Sequence, residues 1–326
     1  MPYEVEEIGS FHIGGREVAF NGLAPREVRW SPSMAPTMVD PNGEFHVEQM
    51  YAQYIKLAKP KARYPLLLWH GGGHTGALWE TKPDGTPGWQ SYFLNAGHDV
   101  YVSDAVERGR ASWARYPEIF RSEPMFRSKL ETWELFRIGP TGSYDRDPAK
   151  RIANPGQKFP IAAFDQFTMQ CVPRWIDNDV ATEAAYDALL AKVGPCVLIA
   201  HSQGGNFGLR AAFRNSHLVR AVVAVEPSGA PVAGDAGLAR LRSMPHLFIW
   251  GDYLDRYPVW QDNIVKASAQ YHAALVAQGT PSEWLDLPRL GVHGNTHMPM
   301  LDTNSDQIAG MIQDWMHKHG LMVARD

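Results

Sequence analysis

Cysteine is nearly absent from this sequence: Cys171 and Cys196 are the only two among 326 residues. A disulfide framework needs more cysteines, and a C-x-x-C metal site needs closer spacing. Both are excluded, and the pair reads as two buried thiols. Long runs of lysine and arginine are also lacking, and the formal net charge is -4. The electrostatic footprint of a nucleic-acid or anionic-membrane binder is therefore missing. The expected partner is a small molecule, with a homodimer left open. No apolar stretch reaches the length of a transmembrane helix. The opening MPYEVEEIGSFHIGG carries acidic residues where a signal peptide has a basic region, which points to the cytoplasm. Repeats and low-complexity tracts are absent too. What is present is a composition 44% hydrophobic and 11% aromatic, enough for a large core.

Short apolar runs rich in Val, Ile and Leu read as strands buried on both faces. They fall at residues 64–69, 99–103, 196–200, 221–225, 246–250 and 283–287. Residues 5–20 read as a hairpin, and FHVEQMYAQYIKL alternates as an antiparallel strand with one wet face would. Helical spacing is clearest at 180–193, stopped by Gly194, and at 305–319, where Ile308, Met311, Ile312, Trp315 and Met316 share a face. Strands alternating with helices predict an α/β fold with a mostly parallel sheet covered on both sides. Residues 113–178 break the rhythm with many aromatics and scattered prolines. They read as an inserted cap, dividing the core into residues 1–112 and 179–326. The aromatic content predicts an apolar lid and substrates with alkyl or aromatic groups.

In VLIAHSQGGNFGLRAA, residues 197–212, a buried strand runs into a helix through a serine and two glycines. Such a turn projects its central side chain at the sheet edge, where a nucleophile is useful. A serine hydroxyl needs a base, usually histidine, and the base needs an acid. Ser202 is the candidate nucleophile.

AHSQG, residues 200–204, resembles the small-x-Ser-x-Gly elbow of the serine α/β-hydrolases, with alanine where many members have glycine. That resemblance implies the order Ser, acid, His. His293 and His297 both lie in the loop before the last helix. GNTHMPMLD resembles the Gly-Asn-Ser/Thr-His stretch of the bacterial esterase 713 type, which implies His297 as base and His293 as runner-up. Most members carry the acid three residues beyond a glycine in the segment matching PHLFIWGDYLD, but that position is Leu254, flanked by Asp252 and Asp255. AVVAVEPSG instead ends a buried strand in Glu226, and a carboxylate there is costly unless paired. The esterase 713 type places its acid at this strand, so the resemblance implies Glu226, with Asp255 as alternative.

His70-Gly71-Gly72-Gly73 after a strand resembles the family's oxyanion loop. This implies backbone donors at Gly72 and Gln203. Asp104 and Arg108, in SDAVERGRAS, are assigned structural roles. The expected activity is hydrolysis of a small, largely apolar carboxylic ester through an acyl-enzyme, without cofactor or metal. Lactonase, amidase or acyltransferase chemistry would use the same residues. The H-x-x-x-H pairs His70/His74 and His293/His297 suit a metal only on a helix, and both lie in glycine-containing loops. A non-catalytic binding protein would usually lack part of the triad.

Overall fold

The computed structural model describes residues 3–113, 115–232 and 237–323. Its strands are β1 (Val5–Phe20), β2 (Arg26–Val28), β3 (Thr37–Val39), β4 (Gly43–Leu57), β5 (Leu66–Trp69), β6 (Val100–Asp104), β7 (Cys196–His201), β8 (Val219–Val225), β9 (His246–Trp250) and β10 (Ser282–Asp286). Its α-helices are α1 (Ala77–Glu80), α2 (Trp89–Ala96), α3 (Lys129–Leu135), α4 (Phe164–Thr168), α5 (Asp179–Val193), α6 (Ser202–Arg214), α7 (Lys266–Ala277) and α8 (Ser305–Lys318). Eight strands form one sheet in the order β1-β4-β6-β5-β7-β8-β9-β10. The six from β6 to β10 along that order run parallel, while β1 and β4 are antiparallel additions at one edge.

Alternation along the central strands builds two cores. Leu66 and Leu68 of β5 join Phe93 of α2 and Ile308 of α8 on one face. Leu67 and Trp69 join Leu189 of α5, Leu209 of α6 and Leu275 of α7 on the other. Both faces are therefore dry, which explains why the central strands read as continuous apolar runs. The described helices include none long and apolar enough to cross a membrane.

The expected hairpin within residues 5–20 is instead one strand. Gly14 and Gly15 do take positive φ, at 72° and 79°, but the chain bends without reversing. β4 pairs with it on both sides of the bend, Ile13 opposite Met50 and Arg16 opposite Val47. The continuous partner strand overrides the local turn signal.

Between β6 and α5 the chain forms short helices and irregular segments. Trp133, Phe136, Phe159, Phe164 and Phe167 from this stretch join the same core as α2 and α8. Phe120 and Trp175 make a small separate cluster. The segment also ties down the loop after β10: the Lys158 N–H donates to Gly294 O at 2.7 Å, and the Thr303 N–H to Lys158 O at 2.8 Å.

Candidate active site

Ser202 is the first residue of α6 and follows β7 without a linker. Its φ is +52°, a left-handed conformation that costs a non-glycine residue about 1–3 kcal/mol. The elbow keeps it because α6 is held close to its neighbours. A β-carbon at Gly204 would stand 2.4 Å from His70 O, and one at Gly205 would stand 2.9 Å from Pro227 Cα. The glycines thus allow the tight approach that the turn requires.

The loop after β10 brings His297 to this serine. Ser202 Oγ lies 3.0 Å from His297 Nε2, and His297 Nδ1 lies 2.8 Å from Glu226 Oε2. A hydroxyl donating to Nε2 and an Nδ1–H donating to the carboxylate is the tautomer that general-base chemistry needs. Glu226 directly follows β8 and is fully buried, again with positive φ, +47°. Its backbone N–H donates to Ile249 O at 2.9 Å, extending the β8–β9 ladder by one residue. Asp255 instead sits exposed in the 3₁₀ turn Leu254–Arg256. Asp252 accepts the Gly294 and Tyr253 N–H groups at 2.9 and 2.8 Å. His293 is 69% exposed, with Nδ1 3.6 Å from Asp252 Oδ2.

A residue that sequence reasoning missed completes the buried group. Arg137, also fully buried and at φ +60°, donates from Nη2 to Glu226 Oε1 and from Nε to Asp252 O at 2.9 Å. Gly251 N–H adds a second donor to Glu226 Oε1 at 2.6 Å. Burial pushes the Glu226 carboxyl up, but the Arg137 charge and the His297 hydrogen bond outweigh it, holding the pKa below the usual carboxylate value. An anionic acid is thus maintained inside the protein. Arg137 had no sequence signal, because nothing in an aperiodic segment distinguishes one arginine from the solvated majority.

His297 is 1% exposed and walled by Phe136 and Trp260, with ring centroids at 5.2 and 4.3 Å. Its N–H donates to Phe136 O at 3.0 Å, and its carbonyl accepts from His201 Nε2 at 2.8 Å. Asp302, three residues beyond the quoted His-Met-Pro, accepts from Asn295 Nδ2 and from the Thr296 N–H and Oγ1, each at 2.9 Å. The loop is therefore braced from three sides, which fixes where the imidazole points.

Burial lowers the His297 pKa, Glu226 raises it, and the charges of Arg137 and Arg127 lower it again, leaving it below 6.5. A base must be neutral to accept a proton, so with His297 as the base activity would rise with pH through this value. The acid limb of a kcat/KM profile should accordingly lie below pH 6.5. A limb at or above that value would mean that Glu226 outweighs burial and the two arginines.

The loop after β5 crosses directly over the elbow. A β-carbon at Gly71 would stand 2.9 Å from Ser202 Cβ. His70 fixes this loop by donating Nδ1–H to Gly71 O at 2.8 Å and accepting the Ala105 N–H on Nε2 at 3.0 Å. With both ring nitrogens engaged, His70 has no lone pair for a metal. His74 donates from Nδ1 to Gly72 O at 3.2 Å and lies stacked on Phe167. Asp104 holds the start of the following turn through the Gly76 N–H at 2.6 Å and is paired with Arg110 at 2.8 Å. The Gln203 N–H belongs to the first turn of α6, where backbone donors have no partner within the helix.

Residues 113–178 contribute to the surroundings of this loop. Trp133, Phe136, Phe159, Phe164 and Phe167 of this stretch join the core, and two of its arginines stand near the glycines. Arg174 Nη1 would stand 2.7 Å from a β-carbon at Gly72, and Arg127 Nε 3.9 Å from one at Gly73.

A mostly parallel sheet whose carboxyl edge carries a serine, a carboxylate and a histidine in that chain order defines the serine α/β-hydrolase class. The chain belongs to the α/β-hydrolase fold family, whose model matches residues 64–280. Over nearly its whole length it is similar to a bacterial esterase of known atomic-resolution structure. The two are 33% identical, with 98% of each chain covered and a TM-score of 0.83. It is also 29% identical to the probable secreted lipase phiG of Fungal sp. (strain ATCC 74256), over 85% of this chain and 88% of that protein.

Proposed function

We propose that this α/β-hydrolase is a carboxylic-ester hydrolase in which Ser202, His297 and Glu226 act as nucleophile, base and orienting acid. The observation that carries this reading is the unbroken hydrogen-bonded chain from Ser202 Oγ through His297 to the buried Glu226. Ser202 Oγ attacks the acyl carbon as His297 Nε2 takes its proton. The resulting imidazolium is stabilised by Glu226, which Arg137 and Gly251 keep anionic and aligned. The N–H groups of Gly72 and Gln203 meet the oxyanion, helped by the positive end of α6. His297 then protonates the departing alcohol, and a water activated by the same base hydrolyses the acyl-enzyme. The esterase and lipase similarities support the ester bond as the target. Lactone, amide or acyl-transfer chemistry would draw on the same groups.

Residues 113–178 bound the substrate pocket in this reading, which the positions of Arg127 and Arg174 support.

The direct test is turnover of short-chain p-nitrophenyl esters with a pre-steady-state burst of p-nitrophenol. Inability to turn over any aryl ester or lactone would reject the reading. Gly72 provides a second test. A side chain there meets the mobile ends of Arg174 and Gln203, so folding should survive while the donor is displaced. Losing one oxyanion donor costs about 100- to 1000-fold in kcat, and Gly72→Val should show a loss of that size. An unaltered rate in a folded Gly72→Val enzyme would place the oxyanion site elsewhere.

A further inference from the structure

We infer that Arg174 and Arg127 form an anion-recognition edge beside Ser202, so that the ester taken by this site carries a carboxylate close to its scissile acyl group. This inference rests on the esterase reading above. It begins with proximity. The loop runs from Gly71, against Ser202, to Gly72, against the Arg174 guanidinium, and to Gly73, against Arg127. Gly73, Arg127, Val172 and Arg174 line one shallow crevice of about 10 Å³ together with Met125, Phe126 and Glu131, so a ligand would lie across its mouth and not inside it.

Both arginines are held there by the fold. Arg174 and Met125 exchange backbone hydrogen bonds at 2.7 and 3.0 Å, and the Val172 N–H donates to Gly73 O at 2.9 Å. The Arg127 guanidinium stacks 5.6 Å over Phe136, the ring that also walls His297. No carboxylate among the described residues lies within ion-pair distance of Arg174, and Arg127 has only Glu131, at 4.0 Å. Glu131 is already engaged in capping α3 through Ser128.

A third arginine adds to the excess. Arg108 is 3% exposed, with Nε and Nη1 unpartnered. Burial and the charge of Arg174 together lower its pKa to about 10, against Tyr186, Asp179 and Glu107, which raise it. Asp179, at the start of α5, offsets part of this positive field. Arg174 is half-buried, a setting in which an ion pair is screened less than at the surface, and guanidinium forks match carboxylates in a planar, bidentate geometry. An anion lying on the Arg174 guanidinium beside Gly72 would supply a counter-charge and seat its acyl carbon near Ser202. Half-esters of short dicarboxylic acids have this shape.

The experiment compares monoethyl succinate with ethyl butyrate by acid release, in the native enzyme and in Arg174→Gln and Arg174→Lys variants. In parallel, succinate is titrated calorimetrically into each protein. Charged hydrogen bonds of this kind are worth about 10-fold or more in affinity. The native enzyme should prefer the succinate ester by about that factor in kcat/KM. Arg174→Gln should erase the preference mainly through KM, Arg174→Lys should restore part of it, and succinate binding should weaken in parallel. If Arg174→Gln does not fold, Arg127→Gln serves as the second variant, and it should reduce the same preference.

A native preference for ethyl butyrate, or an equal loss of kcat on both esters, would overturn the inference; the latter would move Arg174 to the oxyanion. Arg174-dependent succinate binding without hydrolysis of either ester would retain the anion site and reject the esterase reading. Absence of both binding and hydrolysis would reject both.

Discussion

Ser202→Ala is expected to lower kcat on its best ester by about 10⁶-fold, because nucleophile and base act as a unit and loss of either removes nearly the whole contribution. The residual rate would come from binding and from the Gly72 and Gln203 donors. The substitution removes one exposed-side hydroxyl and its 3.0 Å hydrogen bond to His297, so the thermal melt should hardly move. Alanine keeps the β-carbon that makes φ +52° costly, so no strain is released. A loss of only a few-fold on a purified, folded variant would mean that another residue attacks the ester.

Glu226→Gln is expected to cost about 10⁴-fold in kcat, the size of effect seen when a triad acid becomes an amide in serine proteases. The physical cause is tautomeric. An amide NH₂ placed 2.8 Å from His297 Nδ1 donates to that nitrogen, which moves the ring proton to Nε2. Nε2 then cannot accept from Ser202. The change also leaves Arg137, fully buried, without its counter-charge, and breaking a buried pair costs about 3–5 kcal/mol. Reduced stability must therefore be separated from reduced chemistry by melts and by assay well below the transition. Asp255→Asn should change kcat little, since Asp255 is exposed. The reverse ranking, with Asp255→Asn inactive and Glu226→Gln near normal, would place the acid after β9.

The parts of this protein legible in its sequence are those built from local pattern. Each central strand is a short apolar run because both of its faces are dry. The elbow is legible because strand, small residue, serine and glycine pairs must be contiguous to make the turn. Glu226 was legible because a carboxylate ending a buried strand demands a partner, and the structure supplies three: His297, Arg137 and Gly251. The bend at Gly14 and Gly15 misled, since the same glycines suit a reversal or a bend, and only the β4 register decides between them. The arginines were illegible for a different reason. Arg127, Arg137 and Arg174 lie in a stretch without periodicity, and their placement depends on contacts with β8, β9 and the glycine loop that are distant in sequence. Aromatic content there announces rings, of which Trp133, Phe136, Phe159, Phe164 and Phe167 join the core, and carries no signal for where the arginines stand.

The most direct test of the central claim, that Ser202 is the residue acylated by substrate, is to treat the native protein with a fluorophosphonate and locate the adduct by peptide mass spectrometry. The account predicts a single adduct on Ser202, formed quickly by the native enzyme and suppressed in Ser202→Ala. An adduct on another residue, or equal labelling of the Ser202→Ala protein, would contradict it.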